Sequence, residues 1–159
     1  MKSKESRIVS TTILAGLTAA LLEFLPALIV QGARGASPLQ LLQSIASSVE
    51  GRDAYAGGLA SATLGGAMLL VISLVAAGVF VVASRRFPIL IERYLSAGIA
   101  YGLLCYAVTN FVVIPFSTLT FSQTTVWSMI MGSMVIHLFS FGLPIAIVTR
   151  LSTLRMRWS

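Results

Sequence analysis

Four long apolar stretches, separated by short polar segments, run through most of the 159-residue chain. They cover about residues 8–30, 56–84, 95–116 and 125–149. A helix as long as the first stretch rises about 34 Å, which is enough to cross a hydrocarbon core of about 30 Å. The pattern predicts an all-α, polytopic membrane protein, with a four-transmembrane-helix bundle that forms a single membrane domain over residues 1–159.

A shorter helix is predicted over residues 38–50, between the first and second spans. Ser37 followed by Pro38 is typical of an N-cap and a first helical position, and Gly51 is typical of a helix end. On a helical wheel one half is apolar, with Leu39, Leu41, Leu42, Ile45, Ala46 and Val49. The other half is polar, with Gln40, Gln43, Ser44, Ser47, Ser48 and Glu50. Because this helix is too short to span, we expect it to lie in the membrane interface or to fold over the bundle.

Composition and charge agree with a membrane protein. Hydrophobic residues make up 57% of the sequence and charged residues 10%, whereas soluble domains average about half apolar and a quarter charged. The lysines and arginines cluster before the first span, between the second and third, and after the fourth, except for Arg34 and Arg52. By the positive-inside rule, both termini are predicted to be cytoplasmic. Since topology explains these basic clusters, no nucleic-acid partner is expected.

The start of the chain allows one alternative. Lys2, Lys4 and Arg7 precede the first apolar stretch, and small residues follow it, as in a secretory signal peptide. A cleavable apolar core is usually about 7–15 residues long, which is shorter than this stretch. We therefore expect the first stretch to remain as a membrane span.

Three polar residues within the predicted spans are the candidates for an intramembrane polar site. Glu23 lies in the outer part of the first span, Asn110 at a similar depth in the third, and His137 near the middle of the fourth, several ångströms from the depth of Glu23. Ionisable groups are costly in hydrocarbon, so each of these needs a partner. We predict a hydrogen bond between Glu23 and Asn110. For Glu23 and His137, a functional role and a purely structural hydrogen bond both remain open.

Gln43, Tyr101 and Tyr106 are candidate secondary lining residues of such a site. No catalytic residue is predicted, because the sequence carries no catalytic triad, phosphate-binding glycine loop or zinc signature. Cys105 is the single cysteine and lies within a span, so it forms no intramolecular disulfide and no cysteine cluster for a metal. No cofactor and no metal are expected, and the chain is not expected to be an enzyme.

Small residues predict the faces through which the spans pack, because close approach replaces hydrophobic drive between helices in lipid. The first span carries such a stripe on the face of Glu23, with Thr12, Gly16, Ala19 and Ala27. In the third span the predicted contact face has Ser96, Ala100, Ala107 and Asn110. In the fourth span Ser133, His137, Ser140 and Pro144 line one side.

Three segments carry a resemblance to a known group of proteins. They are LLQSIASSVEGRDAYAGGLASATLGG at residues 41–66, AYGLLCYAVTNFVVIPFS at 100–117 and HLFSFGLPIAI at 137–147. In these segments the chain resembles a family of small, uncharacterised bacterial inner-membrane proteins with four predicted helices. The resemblance implies a four-helix fold and a location in the bacterial inner (plasma) membrane. Members of the group often have a histidine where this chain has Leu69, so a function of that histidine is not expected here.

Three functions are compatible with these features. The first is an accessory or structural membrane component that acts through helix contacts, as a homo-oligomer or with another membrane protein. The second is permeation or transport of a proton or small solute along a path through Glu23, Asn110 and His137, for which four spans would need to oligomerise. The third, a membrane-embedded enzyme, requires Glu23 and His137 to converge in one pocket.

Overall fold

The computed structural model describes residues 4–113, 132 and 134–155 of the chain, and every regular element in these residues is helical. Helix α1 covers Lys4–Gly32, α2 covers Pro38–Glu50, α3 covers Gly58–Arg86 and α4 covers Ile89–Glu92. Helix α5 covers Tyr94–Val108 and continues as a π-helical turn, Thr109–Val113. A second π-helical turn, His137–Gly142, leads directly into α6, Leu143–Arg155.

Within the described residues, four helices are long and apolar enough to cross a membrane: Glu5–Gly32, Gly58–Arg86, Tyr94–Val112 and Met134–Leu154. The last of these is called span 4 below. The prediction of an all-α bundle with four transmembrane helices is thereby confirmed, and the chain is a multi-pass helical membrane protein. The predicted residues 114–116 of the third span, and 125–131 and 133 of the fourth, lie outside the described residues.

Local hydrogen bonds at the end of α1 and at the start of α2 fix the connection between these two helices. At the end of α1 the amides of Gly35 and Ala36 donate to the carbonyls of Gly32 and Gln31, and Gly35 has a φ of 86°. This arrangement is a Schellman motif, which requires the left-handed conformation that glycine adopts most readily. Ser37 then begins α2 with a reciprocal capping box to Gln40. Helix α2 ends before Gly51, at the residue that the sequence predicted.

Helix α2 folds over the bundle and packs mainly against α3. Its buried side includes Leu41 and Ala46 and also Gln43 and Ser47, which belong to the predicted polar half. The apolar and polar halves of the helical wheel therefore do not coincide with the buried and exposed sides of α2. The reason is a close backbone approach: at Gly65 of α3 a Cβ would collide with the carbonyl of Leu42. That approach brings Gln43 and Ala46, as well as the side chain of Leu42, close to α3.

Span 4 occupies a central position among the transmembrane helices. It packs against α1 on one side and against α5 on the other, while α3 packs chiefly against α1 and α2. Neighbouring spans run antiparallel, because Gly16 lies against Leu74 and Gly78 lies against Thr12. Gly98 likewise lies against Ala146, and Gly102 against Leu138. The start of α1 and the end of α6 consequently lie at the same end of the bundle.

Glycines allow α5 and span 4 to touch through their backbones. A Cβ at Gly102 would lie 2.7 Å from the carbonyl oxygen of His137, and one at Gly98 would lie 2.9 Å from Cα of Leu143. At Gly142 the nearest atoms are the backbone nitrogen of Gly102 and the carbonyl oxygen of Gly98. Such close approach between small residues is the main means by which helices associate in lipid.

The two predicted packing faces of the first and third spans have different outcomes. On α1, Gly16 and Ala19 are buried, as the small-residue stripe predicted. On α5, Ser96 and Ala100 are exposed, and the buried face consists of Gly98, Gly102 and Tyr106. The prediction for the third span was wrong because backbone contact with Gly142 selects the glycines, which lie on another side of the helix.

At the end of the bundle where α1 begins and α6 ends, a cation–π contact joins the third and fourth spans. The guanidinium carbon of Arg150 lies 3.9 Å from the ring centre of Tyr94. Tyrosine and arginine are both favoured where a span meets the headgroup region. The contact links the first residue of the third span to the end of span 4.

We expect Gly142→Ala to lower the free energy of unfolding by about 1–3 kcal/mol, because the new methyl group would overlap backbone atoms that cannot move aside independently. Gly32→Ala is the matched control, since a Cβ there meets nothing within 4 Å and alanine favours the helix by up to about 1 kcal/mol. Unfolding in mixed micelles, followed by circular dichroism, measures both variants. An equal effect of the two substitutions would contradict the proposed backbone contact.

Candidate polar site between the first and fourth spans

Glu23 is placed by the packed face of α1. It follows Ala19 by one helical turn and Ala15 by two, and both alanines are completely buried in the core, so its carboxyl group points toward the helices and not toward lipid. Pro26 lies three residues further along the same helix and has no amide to donate to the carbonyl of Leu22. The sequence thus places a carboxyl group and a weakened helical turn together in one part of α1.

His137 of span 4 lies against this carboxyl group. Its Nε2 is 3.2 Å from Oε1 of Glu23, and the two side chains are 18% and 16% exposed, respectively. The sequence assignment put these residues at depths differing by several ångströms, and this expectation was wrong. It was wrong because the predicted span bounds do not fix the register of span 4 on α1, and the packing of these two helices brings the first residue of the π turn to the level of Glu23.

Aromatic rings surround the imidazole. Tyr106 of α5 packs edge-on against the ring of His137, with a centroid distance of 5.6 Å and an interplanar angle of 76°. Phe141, one turn further along span 4, lies with its ring centre 6.0 Å from that of His137. These rings limit the positions that the imidazole can take. Tyr106 was predicted as a secondary lining residue, and the structure places it at the Glu23–His137 pair.

Tyr101 lies at the contact between α5 and α3. Its hydroxyl donates to the carbonyl of Ala76 in α3, at 2.7 Å, and its ring lies 5.0 Å from that of Phe80. Tyr101 therefore ties α5 to α3. Cys105, one turn along α5 from Tyr101, lies on the same side of the helix and is partly buried.

Asn110 has a different partner from the one predicted. Its amide nitrogen donates to the carbonyl of Tyr106 within α5, at 2.9 Å, while the carboxyl group of Glu23 contacts His137. The predicted hydrogen bond between Glu23 and Asn110 was therefore wrong. Span 4 lies between α1 and α5, so an imidazole on span 4 reaches Glu23 before a side chain on α5 does.

Gln43 lies at the contact between α2 and α3. Its Nε2 donates to the carbonyl of Gly58 at 3.0 Å, and its side chain is almost completely buried. This hydrogen bond fixes α2 to the start of α3. The structure therefore gives Gln43 a place in the packing of α2 and does not bring it to the Glu23–His137 pair.

Two features of the site escaped sequence reasoning. One is the π turn that starts at His137, for which Pro144 just beyond it was the available signal, because proline disrupts the bonding of the preceding turn. The other is Ser73 of α3, whose buried hydroxyl has no hydrogen-bond partner in the described structure. Nothing in the sequence separates Ser73 from serines that bond to their own helix.

The described residues contain no group of three or more histidine, cysteine, aspartate or glutamate side chains that could hold a metal ion. The chemistry that the site can offer is that of a carboxyl group beside an imidazole. Both groups exchange protons, and imidazole both donates and accepts a hydrogen bond when neutral.

Comparison of the chain with protein-family models, with curated proteins and with solved structures finds no match.

A double-mutant cycle tests the contact between the two ionisable residues. We expect Glu23→Gln and His137→Ala to show an interaction free energy of about 0.5–3 kcal/mol for unfolding, because the two side chains touch. In the control cycle, Glu23→Gln with Asn110→Ala, the effects should add to within about 0.5 kcal/mol, since Asn110 bonds to its own helix. Additivity in the first cycle together with coupling in the second would favour the Glu23–Asn110 contact instead.

Proposed function

We propose that the protein binds a proton within the membrane at the Glu23–His137 pair and passes it along a polar path through the bundle. The observation that carries this proposal is the 3.2 Å contact between the carboxyl group of one span and the imidazole of another. Ionisable residues inside membrane spans are rare, face the interior, pair with one another and recur in proton relays.

The surroundings of the pair favour proton exchange over a sealed structural contact. Both side chains keep part of their surface accessible, so the pair is not sealed within the packed core. A π-helical turn begins at His137 itself, and another begins next to Asn110. Single π turns within α-helices occur frequently at functional sites, because they alter the backbone bonding and the spacing of neighbouring side chains.

Ser73 provides a hydroxyl further along the proposed path. It is buried in α3 next to Leu74, and Leu74 packs on Gly16 of α1. Gly16 lies about 10 Å along α1 from Glu23, toward the start of the chain. A buried hydroxyl without a protein partner is usually satisfied by an internal water. A water at Ser73 would extend the polar path from the pair toward the end of the bundle where α1 begins and α6 ends.

A second proposal is an accessory or structural membrane component. The close backbone contacts among Gly98, Gly102 and Gly142 favour a tightly packed bundle, and the buried hydroxyls of Ser84 and Thr149 bond to their own helices. In this proposal Glu23 and His137 form a structural tie, and the chain acts through contacts with a second copy or another membrane protein.

We further propose that the lipid bilayer in question is the bacterial inner membrane, with both termini cytoplasmic. The support is the distribution of basic residues. Those described at the end of the bundle where α1 begins and α6 ends include Arg85, Arg86, Arg93 and Arg150, whereas Arg34 and Arg52 lie toward α2. Cytoplasmic ends of membrane proteins carry this excess. The resemblance in residues 41–66, 100–117 and 137–147 supports the same location.

Proton flux into proteoliposomes tests the main proposal. We expect wild-type protein to conduct protons above the rate of empty liposomes, and Glu23→Gln and His137→Ala to reduce the flux to that background, because each removes one of the two exchanging groups. Thr18→Val is the matched control: Thr18 lies on the same helix and bonds only to the carbonyl of Leu14. This variant should conduct like the wild type.

Incorporation and helicity are measured alongside flux for all four proteins. If the fully folded wild-type protein conducted protons no faster than empty liposomes, that result would contradict proton passage. If, in addition, Glu23→Gln and His137→Ala weakened assembly in a cross-linking assay, the accessory proposal would replace it.

A further inference from the structure

A polar cleft lies at the end of the bundle that carries α2, away from the Glu23–His137 pair. Its volume is about 370 Å³, which falls in the range of small-ligand sites. It opens where α1 leaves its span and α2 begins. The lining residues are Gln31, Arg34, Gly35, Ala36, Gln40, Leu41, Ser44 and Tyr55.

Arg34 gives the cleft its charge. No aspartate or glutamate is among the lining residues, and no carboxylate of the described chain lies within ion-pair distance of the Arg34 guanidinium. The Schellman motif at Gly35 fixes the backbone beside Arg34, since its two hydrogen bonds bracket this residue. An arginine without an acidic partner, held at the mouth of a cleft, is suited to bind an anion from outside the protein.

Neutral hydrogen-bond donors accompany the arginine. The capping box uses Oε1 of Gln40 to accept the amide of Ser37, which leaves the two hydrogens of its Nε2 for another acceptor. Gln31 and Tyr55 add an amide and a hydroxyl from two other segments of the lining. Because donors come from α1, α2 and the turn after α2, an oxyanion in the cleft could be bound from several directions.

We propose that this cleft binds a phosphate group. The Arg34 guanidinium can form two parallel hydrogen bonds to phosphate oxygens. The absence of acidic lining side chains makes the cleft unsuitable for a cation. Arg34 lies two residues beyond the last residue of the first span, Gly32, at the level where phospholipid headgroups carry their phosphates. The phosphate therefore comes from a lipid headgroup that enters sideways or from a free phosphate in the aqueous phase.

Binding of two probes to the intact chain in detergent tests this proposal. Short-chain phosphatidylglycerol is titrated and detected by native mass spectrometry, and inorganic phosphate is titrated against the thermal unfolding midpoint with chloride at matched ionic strength. We expect Arg34→Gln to weaken binding of at least one probe by about tenfold, because a charge-assisted hydrogen bond is lost. Arg34→Lys should weaken binding less, since it keeps the charge and loses the planar fork.

Arg52→Gln is the matched control, because Arg52 is the other basic residue toward α2, is exposed and is absent from the cleft lining. It should bind both probes like the wild type. Dependence on Arg34 for phosphatidylglycerol alone would identify a lipid site, and dependence for inorganic phosphate would identify a site for free phosphate. Equal binding of both probes by wild type and by folded Arg34→Gln, or equal losses in Arg34→Gln and Arg52→Gln, would overturn the proposal.

Discussion

Hydrocarbon provides neither hydrogen-bond partners nor a hydrophobic drive between helices, so the spans must hold together by close packing and must satisfy polar groups among themselves. Among the described parts of the spans, Gly98 and Gly102 pack with their backbones directly against Gly142. That contact sets span 4 firmly against α5 and leaves its other side for α1. The meeting of His137 with Glu23 follows from this arrangement, because the imidazole projects from span 4 at the level where α1 carries its carboxyl group.

The sequence predicted the helices of the fold better than it predicted which helices pack against each other. Span positions follow from long apolar stretches, and the bounds of α2 follow from the local chemistry of Ser37, Pro38 and Gly51. Which helix lies beside which depends on surface shape over many residues, and this information is not local. Glu23 and His137 were recognised individually as a candidate polar site, yet their contact was missed, because the sequence fixes neither the register of span 4 on α1 nor the identity of the neighbouring span.

Helix α2 shows the same limit in another form. A helical wheel separates its apolar and polar halves, which would suit a helix lying on a lipid surface. The wheel cannot represent a glycine on another helix, and Gly65 draws the backbone of α2 close enough to bury Gln43 and Ser47. Gln43 is accommodated there because the carbonyl of Gly58 accepts a hydrogen bond from its amide. Gln43 is therefore buried because the backbones of α2 and α3 approach closely, and its polarity determines only which group it bonds to there.

The π turn His137–Gly142 also governs the geometry of the span beyond it. In a regular α-helix each residue turns the chain by about 100°, so His137 and Ile145, eight positions apart, would point in directions differing by about 80°. A π turn closes its hydrogen bonds over one more residue and therefore rotates more slowly. The wider turn brings the faces of His137 and the completely buried Ile145 closer to alignment. The number of residues in this turn, and not only their identity, thus determines that one side of span 4 serves both the polar pair and the apolar core.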